Sequence, residues 1–169
     1  MLPTQNPIIR TFLVFFLLLG WIFGLTGQTP QTNPTACKLN LRISDNNCPS
    51  FNSFPIRVLT APGTALGTDV ELSEVRLVVR HSWVADLEIT LVSPSGETAL
   101  LSSDNGGGGD HYGNPSDLFC DEYTSFSDYH CKSIICETCA PFIGKYRPEE
   151  SLARFNDGSS PIRPWNLRV

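Results

Sequence analysis

Seven side chains that suit hard cations crowd one stretch of the chain: Asp104, Asn105, Asp110, Asn114, Asp117, Asp121 and Glu122, in and just after the run Gly106–Gly109. Calcium takes about six to eight oxygen ligands, and a glycine-rich backbone can bend to bring carboxylates and carbonyls together. On this reading Asp104, Asn105, Asp110 and Asp121 are the candidate calcium ligands. The order does not follow EF-hand spacing. A solvated acidic turn accounts for the same composition, because Asp, Asn and Gly dominate turns. A phosphate loop does not fit, since no G-x-x-x-x-G-K-[ST] is present.

The six cysteines are Cys37, Cys48, Cys120, Cys131, Cys136 and Cys139. An even count behind an export signal reads as disulfides. Cys37 and Cys48 are expected to pair, and the other four allow three pairings that sequence does not separate. Cys136-Glu137-Thr138-Cys139 with His130 and Cys131 upstream also has the look of a zinc site, but zinc needs reduced thiolates, which export disfavours. A thioredoxin-like motif would open a helix in a βαβ unit, and none is in sight.

For nucleophilic catalysis the chain offers His81, His111 and His130 and many serines, but no G-x-S-x-G elbow. A serine hydrolase needs its nucleophile on a constrained turn with a base in reach. No serine here has that setting, so no catalytic centre is expected. His81 shares strand parity with Leu77, Val79 and Trp83 and is expected at the core boundary. Asp86 is its natural partner, bonding His81 or the backbone N–H groups of the turn, in a structural role. Trp83, Tyr112, Tyr123 and Tyr129 are candidate sugar-stacking faces, although such aromatics more often pack.

The elements that must position these residues are strands. Val75, Leu77, Val79, His81 and Trp83 alternate with Arg76, Arg80 and Ser82, a period-2 pattern. After Val84-Ala85-Asp86, the residues Leu87, Ile89 and Leu91 alternate with Glu88 and Thr90. Ser93-Pro94-Ser95-Gly96 supplies a turn and Thr98–Leu101 a third strand. This predicts an antiparallel meander with one buried face, which a second sheet must cover. Further strands are expected from Lys38–Ile43, from Pro55–Thr60 as an edge strand, and from Trp165–Val169. Cys120–Cys139 reads as irregular, and Tyr146–Phe155 as a Pro-led turn with a short apolar segment.

Composition agrees with an all-β chain. Charged residues make up 17% of 169, while Gly and Pro number 13 each, favouring short strands and turns over surface helices. The net charge of −5 gives no footprint for nucleic acid. Arg10 followed by the uncharged run Thr11–Leu25 and then Thr26-Gly27-Gln28 reads as a secretory signal peptide over residues 1–27. The run falls short of the about 20 apolar residues a bilayer crossing needs, so no stable membrane span is expected. Residues 28–38 read as a flexible leader.

The stretch His81-Ser82-Trp83-Val84-Ala85-Asp86-Leu87-Glu88-Ile89-Thr90-Leu91-Val92-Ser93-Pro94-Ser95-Gly96 resembles the signature of the P domain (P/Homo B domain) of proprotein convertases. That signature is a strand, a histidine, a linker, Asp-Leu, an alternating strand and Ser-Pro-x-Gly. The segments Asp104–Tyr112, Ala140–Glu149, Ser151–Gly158 and Trp165–Val169 are similar to the bacterial-type secreted version, so the resemblance spans 39–169. It implies a jelly-roll-like antiparallel β-sandwich that normally follows a subtilisin-like serine protease domain and supports its folding. It implies also that such domains occur without a protease, as accessory or adhesive modules. Two departures stand out. Pro161-Ile162-Arg163-Pro164 replaces the usual Gly-Thr before the last tryptophan, and the usual Asp and further strand beyond Val169 are missing, as in a truncated domain. The resulting expectation is a secreted, non-catalytic module linked to subtilisin-like proteolysis through a protease domain or another extracellular protein. The alternatives are a calcium-dependent adhesion or glycan-binding module, and a fragment of a larger convertase-like serine protease.

Overall fold

The computed structural model describes residues 40–44 and 50–169. The expected signal peptide, the leader, Cys37 and Cys48 lie outside the described residues. Among the described residues seven strands form two sheets. They are β1 (Ser53–Arg57), β2 (Val75–Leu77), β3 (Glu88–Val92), β4 (Thr98–Ser103), β5 (Thr124–Phe126), β6 (Gly144–Tyr146) and β7 (Pro164–Arg168). One sheet runs β1-β7-β3-β4 and the other β2-β5-β6. All pairs are antiparallel except β5 with β6. The expected all-β fold is therefore present.

The period-2 pattern explains β3. Leu87, Ile89 and Leu91 are buried while Glu88 is exposed and Thr90 half-buried. The hairpin to β4 closes through Ser93–Gly96, where Gly96 N–H donates to Ser93 O at 3.1 Å and Gly96 takes a φ of 99°, open to glycine at no steric cost. Pro55 sits in β1 at the edge of its sheet, where a missing N–H costs no ladder bond, and Pro164 opens β7. β7 is an inner strand, paired with β1 on one side and β3 on the other.

Both sheets bury their apolar faces in one core: Leu77 from β2, Ile89 and Leu91 from β3, Ala99 and Leu101 from β4, Phe126 from β5, Tyr146 from β6 and Trp165 from β7. Phe155, from the short 3₁₀ turn Leu152–Phe155, meets Trp165 edge-to-face at 5.1 Å.

Three expectations need correction. The meander does not form as one sheet, because β2 pairs with β5 while β3 pairs with β4 and β7. The 3₁₀ turn Val84–Asp86 carries the chain from one sheet to the other and resets the phase of the alternation. As a result Val84 is fully buried and Trp83 is 56% exposed, so Trp83 leaves the core face that parity assigned to it. The described part of Lys38–Ile43 holds no strand, and Asn40 has a positive φ of 48°. Cys120–Cys139 is not wholly irregular, because β5 lies within it.

Candidate functional site

The glycine loop leaves β4 at Ser103 and is clamped on two sides. Gly106 N–H donates to Cys136 O at 2.8 Å, and Val84 N–H donates to Gly109 O at 3.0 Å. Gly106 has a φ of 83°, and a Cβ there would lie 2.5 Å from Val84 Cγ2 and 2.7 Å from Phe142 Cε2, so no side chain fits.

Asn105 fastens this loop to the core. It is buried, and its amide nitrogen donates to Ser102 Oγ at 2.9 Å and to Glu149 Oε1 at 2.6 Å, while its oxygen accepts from Cys136 N–H at 3.2 Å. Glu149 Oε1 also accepts from Ser103 N–H at 2.7 Å. Ser102 Oγ lies 2.8 Å from the buried Tyr112 hydroxyl, whose pKa is raised chiefly by burial. Asn105 thus has both donors and an acceptor used within the protein, the condition under which a buried amide is tolerated.

The remaining candidate calcium ligands do not gather around it. Asp104, Asp110 and Asp121 are exposed, and Asp104 meets Ser103 Oγ at 3.3 Å. Asp117, further on, accepts from the N–H groups of Phe119, Asp121 and Glu122, so its carboxylate organises its own loop. Asn114 Nδ2 donates to Glu122 at 2.5 Å. Among the described residues no three His, Cys, Asp or Glu side chains come together as metal ligands. Of the four candidate calcium ligands, the buried Asn105 is spent on the fold and the three aspartates stand exposed.

The histidines have other partners than expected. His81 Nδ1 lies 2.8 Å from Trp83 O, and His111 Nδ1 lies 2.8 Å from His81 O. Asp86 is exposed, and no hydrogen bond joins its carboxylate to His81. Its own N–H donates to Trp83 O at 3.1 Å.

One constellation went unseen in the sequence. Ser125 Oγ, fully buried in β5, donates to Glu74 Oε1 and lies 2.9 Å from His130 Nε2. Glu74 also accepts from Arg76 at 2.6 Å. Burial raises the Glu74 pKa, but the hydrogen bonds from Arg76 and Ser125, helped by the charges of Arg76 and His130, carry it below the ordinary carboxylate value. A hydrolytic triad places the acid on the far nitrogen of the histidine and leaves the serine free to pass its proton to that histidine. Here the acid takes the serine's proton itself and the serine is shut away from solvent. The trio fastens β5 to the approach to β2. It was illegible because Glu74 lies 51 residues from Ser125.

Cys136 and Cys139 form a disulfide with Cα atoms 5.6 Å apart. That removes both thiolates the zinc reading needs. Cys120 is disulfide-bonded and Cys131 is free and exposed, so the last four cysteines do not make two bridges among themselves.

With that geometry in place, residues 70–128 match the family model of the proprotein convertase P-domain. This stretch is similar to a P-domain. The P-domain match begins just ahead of β2, runs through β3, β4 and the glycine loop, and ends just past β5, so it contributes to both sheets. P-domains are non-catalytic domains that accompany subtilisin-like convertases. No curated protein and no solved structure matches the chain. Among the described residues no helix is long and apolar enough to cross a membrane.

Proposed function

We propose that this chain acts as a secreted, non-catalytic P-domain module that stabilises a subtilisin-like serine protease domain by packing against it. The observation that carries the reading is the P-domain match over residues 70–128. The Cys136–Cys139 disulfide supports an oxidising compartment. The packing anchor is the loop tip inside the matched stretch. Leu118 and Phe119 are 77% and 80% exposed, and the Asp117 carboxylate bonds the backbone on their C-terminal side. Two large apolar side chains on a braced turn are a preorganised docking element, because little ordering remains to oppose association.

The test is the inactivation half-life of a subtilisin-like convertase catalytic domain lacking its own P-domain, co-expressed with the full chain. Stabilisation by a bound partner grows with its concentration over Kd. The expected result is a half-life about tenfold longer at 100-fold saturation or less, lost in the double variant Leu118→Ser, Phe119→Ser. An unchanged half-life with the wild-type chain contradicts the proposal.

A further inference from the structure

Trp83 is the exposed aromatic that the alternation placed in the core, and its indole lies beside the glycine loop. A Cβ built on Gly108 would lie 3.3 Å from Cζ2, 3.6 Å from Cε2 and 3.7 Å from Cη2 of the indole. The two flanking atoms are almost as near as the central one. A point above the ring face gives that pattern, whereas an approach in the ring plane would leave them much further off. One face of the indole is therefore turned towards Gly108. With Trp83 56% exposed, the opposite face is open to water. The backbone beneath is pinned: Val84 N–H donates to Gly109 O at 3.0 Å, and His81 Nδ1 lies 2.8 Å from Trp83 O.

Polar groups are built into the same two loops. Nδ1 of His81 lies 2.8 Å from Trp83 O and 3.2 Å from Trp83 N, and Nδ1 of His111 lies 2.8 Å from His81 O and 3.2 Å from His81 N, so each ring is fixed to the backbone through Nδ1. That leaves Nε2 of each ring as a further hydrogen-bonding atom. Asp110, between Gly109 and His111, is exposed and adds a carboxylate. The aromatic rings packed under the glycine loop, Tyr112 and Phe142, are fully buried. The indole is thus one flat open face and not one wall of an aromatic box, which is the arrangement that selects cations. Tyr112, Tyr123 and Tyr129 do not compete as platforms. Tyr112 is buried, Tyr123 carries the Arg76 guanidinium 4.9 Å from its ring, and Tyr129, though 74% exposed, has its hydroxyl tied to Glu71 at 3.2 Å and lies away from the two histidine-bearing loops.

A flat apolar face on loops that also carry imidazoles and a carboxylate suits a ligand that is apolar on one side and rich in O–H at its rim. We infer that Trp83, with His81, His111 and Asp110 at its border, forms a binding platform for a neutral pyranose sugar. Gly108 is a positioning residue, since a Cβ there would already sit 3.3 Å from the indole and a branched side chain would push the ring away.

The test follows the indole N–H resonances of the ¹⁵N-labelled full chain during titration with the methyl pyranosides of glucose, galactose, mannose and N-acetylglucosamine, and with choline. The expected result is a saturable shift of the Trp83 resonance by at least one sugar, with the buried Trp165 unmoved. Trp83→Ala should abolish binding at an unchanged melting temperature, and Gly108→Val should weaken it about tenfold or more by lifting the ring, a loss of about 1.4 kcal/mol. No shift of Trp83 with any of the sugars, sugar binding that survives Trp83→Ala, or choline binding as tightly as the best sugar would each overturn the inference.

Discussion

The β3–β4 hairpin and the loop half that follows it are joined to one core by different physics. In the hairpin the backbone bonds itself and the side chains alternate between core and solvent, so apolar burial carries the stability. From Asp104 to Ile143 only β5 is regular strand, and the chain is held by side chains that bond backbone: Asn105 to Cys136, Asp117 to its own turn, Glu149 to Ser103. The isolated bridges Val79–Tyr112 and Tyr112–Phe142 tie this half to the second sheet. The lesson is that irregular backbone can be as firmly placed as a strand when each buried polar group has a named partner.

Substitutions should separate the two modes. Ile89→Ala or Leu101→Ala removes fully buried apolar volume from the hairpin and should cost about 2–5 kcal/mol, read as a fall in the urea midpoint with the slope unchanged. Asn105→Ala should cost about 1–3 kcal/mol by stranding the Cys136 N–H and a donor-starved Glu149. A loss below about 0.5 kcal/mol would mean the clasp is ornamental.

Acid should act next. The Asp157 pKa is lowered from 3.8 to about 2 by the Ser159 hydroxyl, then by Ser95 and the Ser159 N–H, and Asp69 is lowered by the N–H groups of Ala65 and Thr64. A depressed folded pKa contributes stability that is present above the unfolded value and lost as pH falls through the folded one. The melting temperature should therefore hold above about pH 4 and decline from there towards pH 2. Replacing Asp157 by Asn should flatten that decline.

Asp117→Ala should leave the global midpoint within about 0.5 kcal/mol while amide exchange at Phe119, Asp121 and Glu122 accelerates. Smallest of all, millimolar calcium should leave the melting temperature where it is, since the loop carboxylates do not converge.

The same contrast explains what could be read in advance. β3, β4 and the Ser93–Gly96 turn were legible because a half-buried strand writes its burial into alternate residues. Trp83 was misplaced because the three-residue turn after it changes the phase, and nothing local marks where a strand pattern stops. β5 and β6, three residues each, are too short to show a period. The clasp of Asn105 is not legible, because an asparagine that fastens a loop and one that coordinates a metal look alike in sequence. The Ser125–His130–Glu74 trio depends on a strand pairing between distant segments, which one sequence does not reveal.

The proposal to be tested is that the braced tip at Leu118 and Phe119 docks this chain on a subtilisin-like protease domain. Hydrogen exchange of the full chain, alone and with that domain, tests it most directly. New protection concentrated at residues 116–122 is the predicted result. Protection confined to the outer face of β3 and β4, or no change anywhere at saturating protease domain, would contradict it.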